Sequence, residues 1–239
     1  MGGEHDRLTA AEAASVIGWW IEAWVDVAIQ ERPRAWLGGA ATHAPESAPQ
    51  PTTAPGAADE IPASLEAFRG WLGQSPALPF GTPAAKRVLP IGLEAAEIML
   101  LVDMPTPEDI ADDQPIGGVA WELTQRMLAA VGLSVDQAYV ASLTCSYSPG
   151  SRLSAVELES CAVIARRHIA LARPKRLLLL GDSPNRALLG KPLTTARGHV
   201  HKIEGVRTVA TFHPRQLLQR ASDKALAWRD LLLLMEEEV

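Results

Sequence analysis

Reading the chain for groups able to do chemistry isolates a few short segments. Asp103-Met104-Pro105 is followed closely by Glu108, Asp109 and the loop Gln114-Pro115-Ile116-Gly117-Gly118. Thr144-Cys145-Ser146-Tyr147-Ser148-Pro149 comes next, and Cys161 lies 16 residues beyond Cys145. Gly181-Asp182-Ser183 is the third segment, and the fourth runs from Thr211 through His213, Pro214, Arg215, Gln216, Leu217, Leu218 and Arg220. A carboxylate such as Asp103 and an imidazole such as His213 are the groups that acid–base catalysis uses. Arginines beside them suit a phosphate-bearing partner. His199-Val200-His201 could suggest a metal, but alternate residues of a strand face opposite ways, so only a loop would converge them.

These segments all fall just after apolar runs of strand length. Ile98–Val102, Tyr139–Leu143, Arg176–Leu180 and Val206–Phe212 are the candidate strands. Between and after them lie helical patterns at Val119–Val131, Ala155–Ala172, Ala187–Leu189 and Asp223–Met235. Buried strands alternating with helices predict an α/β domain: a three-layer α/β/α arrangement around a four-stranded, mostly parallel sheet. Ligands in such folds gather at the carboxyl ends of the strands, where the four segments lie.

The first third of the chain reads differently. Thr9 and Glu12 form a capping box before an apolar helix bearing Trp19, Trp20 and Trp24, which Pro33 stops. Residues 38–63 are rich in Ala, Pro, Thr and Gly and read as a flexible linker. The expected organisation is a helical extension over 1–37, the linker, and one domain over 64–239, which opens with a short helix at Leu65–Leu72.

Composition narrows the classes. The chain has 239 residues, 47% of them hydrophobic and 21% charged. No apolar run approaches the ~20 residues of a membrane helix, and Met1 to Arg7 lacks the apolar centre of a secretory signal. The expectation is a cytoplasmic protein, monomeric and without a membrane partner. Two cysteines are too few for a disulfide scaffold. The net charge of −6 is unevenly divided: residues 152–239 carry 15 Lys and Arg against 9 Asp and Glu. A basic C-terminal half is the footprint of a phosphate-binding face, although asymmetry of this size also occurs without meaning.

Thr211-Phe212-His213-Pro214-Arg215-Gln216-Leu217-Leu218-Gln219-Arg220 resembles the Thr-Tyr-His-Pro-x-x-Leu-Leu-x-Arg motif of uracil-DNA glycosylases, especially the bacterial class with a four-cysteine iron–sulfur cluster. Residues 177–190 and Arg197-Gly198 are similar to the same class, and the resemblance spans roughly 96–235. It implies a partner, DNA, whose target base is flipped out and read on its pairing edge. It implies that His213 donates to the oxygen of the leaving base. Asp103 stands where the class has glutamate, and reads either as the working carboxylate or as a solvated loop aspartate.

Several positions depart from the family pattern. Val102 and Thr106 replace two glycines around Asp103-Met104-Pro105. Ile116 replaces the aromatic ring that stacks on uracil, and Ala141 replaces the asparagine that reads it. The base pocket implied by the resemblance is Met104, Pro105, Ile116 and Ala141, and efficient uracil excision is not expected from it. Cys145 and Cys161 suit two of four cluster ligands, but residues near Leu78–Gly81 supply no other cysteine. No cofactor or metal is therefore expected, with both thiols left as structural, vestigial positions. Ser183, Pro214, Arg215, Gln216, Leu217, Leu218 and Arg220 form the implied DNA surface. Leu217 and Leu218 either wedge between bases or pack the start of the last helix, and Ser183 reads equally as a plain turn. Three functions stay open: a divergent glycosylase, a non-catalytic nucleic-acid-binding relative, and a scaffold tethered by the tryptophan helix.

Overall fold

The computed structural model describes residues 61–76, 78–80, 86–148 and 153–236. The chain divides into two compact units, Met1–Thr52 and Thr53–Val239. The expected tryptophan helix and most of the expected linker lie outside the described residues, so the architecture given is that of the second unit.

Its element order is α1 (Leu65–Gln74), β1 (Ile98–Val102), α2 (Pro107–Asp112), α3 (Gly118–Ala130), β2 (Ala138–Ser142), α4 (Ala155–Ala172), β3 (Arg176–Leu180), α5 (Asp182–Leu189), α6 (Leu193–Ala196), β4 (Val200–Ile203), β5 (Val206–Thr211), α7 (Pro214–Gln219) and α8 (Lys224–Met235). The sheet has five strands in the order β2-β1-β3-β5-β4, which corrects the expectation of four. The added strand, β4, pairs antiparallel with β5, while the other neighbours are parallel. A two-residue turn joins β4 to β5, with Glu204 at φ 48° and Gly205 at φ 80°. Positive φ at both turn residues matches the twist of a tight hairpin.

Alternate residues of the parallel strands enter two different cores, as a period of two dictates. Met99, Leu101, Tyr139, Ala141, Leu177 and Leu179 pack on one face with Cys161, Ala165, Ile169 and Ala172 of α4. Ile98, Leu100, Val102, Val140, Leu178 and Leu180 pack on the other with Ala120 and Leu128 of α3 and Leu231 and Leu234 of α8. Helices therefore cover both faces of an α/β sheet, and its strands need no polar side.

The helix ends are set by local chemistry. α4 opens on a reciprocal capping box between Ser154 and Glu157 and closes at Arg173, which adopts a left-handed conformation before Pro174. α1 opens on Ser64, whose hydroxyl accepts the Ala67 N–H at 3.3 Å. Its C-terminal carbonyls at Leu72 and Ser75 take hydrogen bonds from Arg87 at 2.9 and 2.7 Å. Just beyond Arg87 the chain runs beside β2. Ile91 and Val140 exchange both backbone hydrogen bonds, at 2.9 and 2.8 Å, and an isolated bridge joins Arg87 to Ser146. Among the described residues no helix is long and apolar enough to cross a membrane.

Candidate active site at the carboxyl ends of the parallel strands

β1, β3 and β5 are direct neighbours, and each delivers one piece of the site from its carboxyl end: Asp103, the Gly181–Ser183 turn, and His213. Asp103 follows β1 directly and lies over the start of α5. Its Oδ1 accepts the Ser183 N–H at 2.9 Å. Its Oδ2 occupies the space a Cβ on Gly181 would need, 2.1 Å from that position. Gly181 itself has φ 104° and ψ −175°, a region open essentially to glycine alone. The close backbone approach around the carboxylate is thus supplied by Gly181. The positions flanking Asp103 do other work: Val102 is buried in β1, and Thr106 caps α2.

Burial pushes the Asp103 carboxyl up from 3.8 to about 6, with the nearby Asp182 charge adding to the rise. The hydrogen bonds from the Ser183 turn act in the opposite sense and do not offset it. A carboxyl of that pKa is ionised in about nine molecules of ten at pH 7, yet is far more basic than an exposed aspartate. It lines a cleft of about 600 Å³ shared with Met104, Leu153, Leu158, Ser183 and Arg186.

His213 is placed by its neighbour in sequence. A residue before proline avoids helical φ and ψ, and His213 is extended at φ −64°, ψ 139° while Pro214 takes the first position of α7. The imidazole then serves as the cap: Nδ1 accepts the Arg215 backbone N–H at 3.1 Å. A backbone N–H can only donate, so Nδ1 carries no proton and the ring proton sits on Nε2. Burial, followed by repulsion from the Arg215 guanidinium, lowers the ring from 6.5 to about 4, against the pull of Asp109. At neutral pH His213 is a neutral ring presenting an N–H donor.

The residue that joins the two loops is Asp109, fully buried. Its Oδ2 accepts from the Thr106 N–H and hydroxyl at 2.8 and 2.9 Å. Its Oδ1 accepts from the Gly117 N–H and the Arg215 guanidinium. Arg215, also 3.8 Å from Glu108, is therefore committed to the interior. The sequence carried a signal for this in the Thr106-x-x-Asp109 spacing of a capping box. On its other side β5 is braced by Asp230, which accepts from the Thr211 hydroxyl at 2.8 Å and from Arg197 at 3.1 Å. The Arg197 guanidinium stacks on Phe212, beside His213.

The remaining expected residues divide. Met104 lines the cleft, and its sulfur accepts the Ser148 N–H at 3.3 Å. Pro105 is buried. Ile116 and Ala141 are both buried in the core, on opposite faces of the sheet, and the structure does not bring them together. Along α7, Pro214 and Leu217 are buried, Gln216 donates to Asp223 at 2.9 Å, and Leu218 and Arg220 face outward. Leu217 packs with Phe212 and Ala227, so of the two leucines only Leu218, 44% exposed, is free to touch a ligand. His201 of β4 is 2.8 Å from the Ala196 carbonyl, and His199 is 3.1 Å from that of Arg197. Among the described residues no group of three His, Cys, Asp or Glu could hold a metal.

An iron–sulfur cluster of the four-cysteine kind does not fit these residues. The chain has two cysteines, and four thiolates are the usual ligand set. Burial pushes both thiols up to about 12, so they stay protonated. Phe68, Leu72 and Leu78 pack directly on Cys145.

Comparison with known proteins bears on the family of the chain. Residues 89–232, more than half of the chain, match the family model described as the uracil DNA glycosylase superfamily. The chain is also similar to a protein named type-4 uracil-DNA glycosylase from Archaeoglobus fulgidus, at 25% identity over 141 residues. That match covers 54% of this chain and 71% of the relative. With its α/β sheet and a matched region that takes in all five strands, the chain belongs to the uracil-DNA glycosylase superfamily.

Proposed function

We propose that the chain hydrolyses the N-glycosidic bond of a base in DNA, with weak discrimination of the base. The observation that carries this is the placement of a carboxylate and an imidazole at the ends of β1 and β5, the two strands that flank β3: Asp103 held against Gly181 and Ser183, and His213 with Nδ1 taken by the Arg215 N–H, so that its Nε2–H is the donor. Departure of a base leaves an anion on the base and a cation on the sugar. The His213 N–H stabilises the first without carrying a competing positive charge that must be kept solvated. The Asp103 carboxylate faces the second and accepts a proton from the attacking water. The short reach of aspartate is matched by Gly181, which lets the carboxylate sit deep against β3. Leu218 and Arg220 form the outward face that meets the strand, with the leucine as the wedge.

A second reading, a non-catalytic DNA-binding relative, is favoured by one observation. Ile116 and Ala141 are buried and apolar, so neither offers a hydrogen bond to a base. The two readings separate on labelled oligonucleotides containing uracil, hypoxanthine, xanthine or no lesion, treated with alkali after incubation with wild type or His213→Ala. Strand cleavage that the substitution removes establishes the glycosylase and its base. Retained binding without cleavage by wild type establishes the binding protein.

A further inference from the structure

Beside α7, helices α3 and α8 leave an open groove of about 180 Å³. Met127 and Ala130 of α3 and Ala227 and Leu231 of α8 form its walls, and Leu217 of α7 reaches into it. Spacings of three and four residues put each pair on one face of its helix. Trp228 stands over this apolar surface with 41% of its own surface exposed. Tryptophan is usually well buried, so an open indole beside an apolar groove marks a contact surface. Lys224, one turn earlier on α8, and Arg126 of α3 stand at the rim, both exposed. Arg126 pairs with Glu122 at 3.6 Å within its own helix, an exposed pair that contributes little and can be exchanged for another anion.

We propose that this groove holds a base of single-stranded DNA, stacked on Trp228, with the strand's phosphates against Lys224 and Arg126. The proposal rests on the reading of α7 as part of the DNA surface. Continuity with α7 favours it: Arg220, outward at the end of α7, is followed after one short turn by Lys224 at the start of α8. A strand that meets Leu218 and Arg220 therefore passes the groove next. An aromatic face with cations beside it accepts any base, since every base has a π-face. The volume is below that of a drug-sized ligand site and suits one flat ring system. The groove shares no lining residue with the Asp103 cleft, so the base held here is a neighbour of the target and not the target itself.

The test is fluorescence anisotropy of the full chain with two short labelled strands of equal length, one of thymidines and one abasic with the same phosphates. Wild type is expected to bind the thymidine strand about tenfold more tightly than the abasic one. Trp228→Leu, which keeps apolar bulk without a ring face, should remove that preference, and Trp228→Phe should retain most of it. Lys224→Ala should weaken both strands alike, because phosphates are common to them. Val163→Ala, at an exposed position on α4, leaves both affinities unchanged. Ligand-free melting checks that the variants fold, and Trp228→Met replaces the leucine variant if that one does not. Equal affinity of wild type for the two strands, or an undiminished preference in Trp228→Leu, would overturn the proposal and leave the DNA reading standing. The second of these is also the result expected if a protein partner fills the groove. Failure of wild type to bind either strand or a duplex would remove the DNA reading, and this inference with it.

Discussion

Replacing Asp103 by asparagine removes a charge that the fold holds at a cost. Its carboxyl titrates at about 6 in the folded chain against 3.8 when free. A raised carboxylate pKa means that the folded state binds the proton more tightly than the unfolded state. The cost is therefore complete above pH 6, shrinks as the pH falls, and is gone well below 3.8. At 1.36 kcal/mol per pH unit, it amounts to about 3 kcal/mol at pH 7.5 and about 0.5 kcal/mol at pH 4. Asparagine keeps an oxygen for the Ser183 N–H but carries no charge at either pH. The stability of Asp103→Asn relative to wild type, read from urea melts, should thus rise by about 2.5 kcal/mol between pH 4 and pH 7.5. Any constant packing difference between the two side chains drops out of that comparison. The same variant should have lost base excision. A stability difference that does not change with pH would refute the buried, basic carboxylate, and with it the role given to Asp103.

Other outcomes follow from the same geometry. The pH profile of excision should fall on the acid side near pH 6, from Asp103, and show no further step near 6.5, because His213 is neutral down to about 4. A step at 6.5 that disappears in His213→Gln would contradict this. Leu217→Ala should cost about 2–5 kcal/mol in a urea melt, whereas Leu218→Ala should leave the melt unchanged and lower excision on duplex more than on single strands. Asp109→Asn breaks a buried pair with Arg215 and should destabilise by about 3–5 kcal/mol. If its melt matches wild type, Arg215 has another anchor. Both thiols should resist a disulfide reagent at pH 8 until the chain is unfolded, and rapid modification of folded protein would show the burial to be wrong.

Much of the sheet was legible because strands buried on both faces read as unbroken apolar runs. Ile98–Val102 and Arg176–Leu180 are found at the expected limits. β4 escaped because only Ile203 of its four residues is buried, so no apolar run marks it. Its turn was muted as well: Glu204 takes a left-handed position where asparagine or aspartate is the usual signal. At the site, the sequence order placed Asp103 and His213 at strand ends, since strand alternation alone decides that. It could not show that Arg215 turns inward, because a guanidinium beside a motif histidine reads as a phosphate contact until its partner is known. That partner, Asp109, is 106 residues away. Leu217 and Leu218 are likewise indistinguishable in sequence, and only the direction of α7 buries one and exposes the other.

The pairing of Ile91 with Val140 bears on how copies of this protein can meet. An open strand edge is a template for another chain. At β2 that template is closed at its centre, since both outward backbone groups of Val140 are taken by the chain's own Ile91. The opposite edge is β4, only four residues long and carrying Lys202. Among the described residues, joining of sheets is thus obstructed at the middle of one edge and confined to a short, charged ribbon at the other.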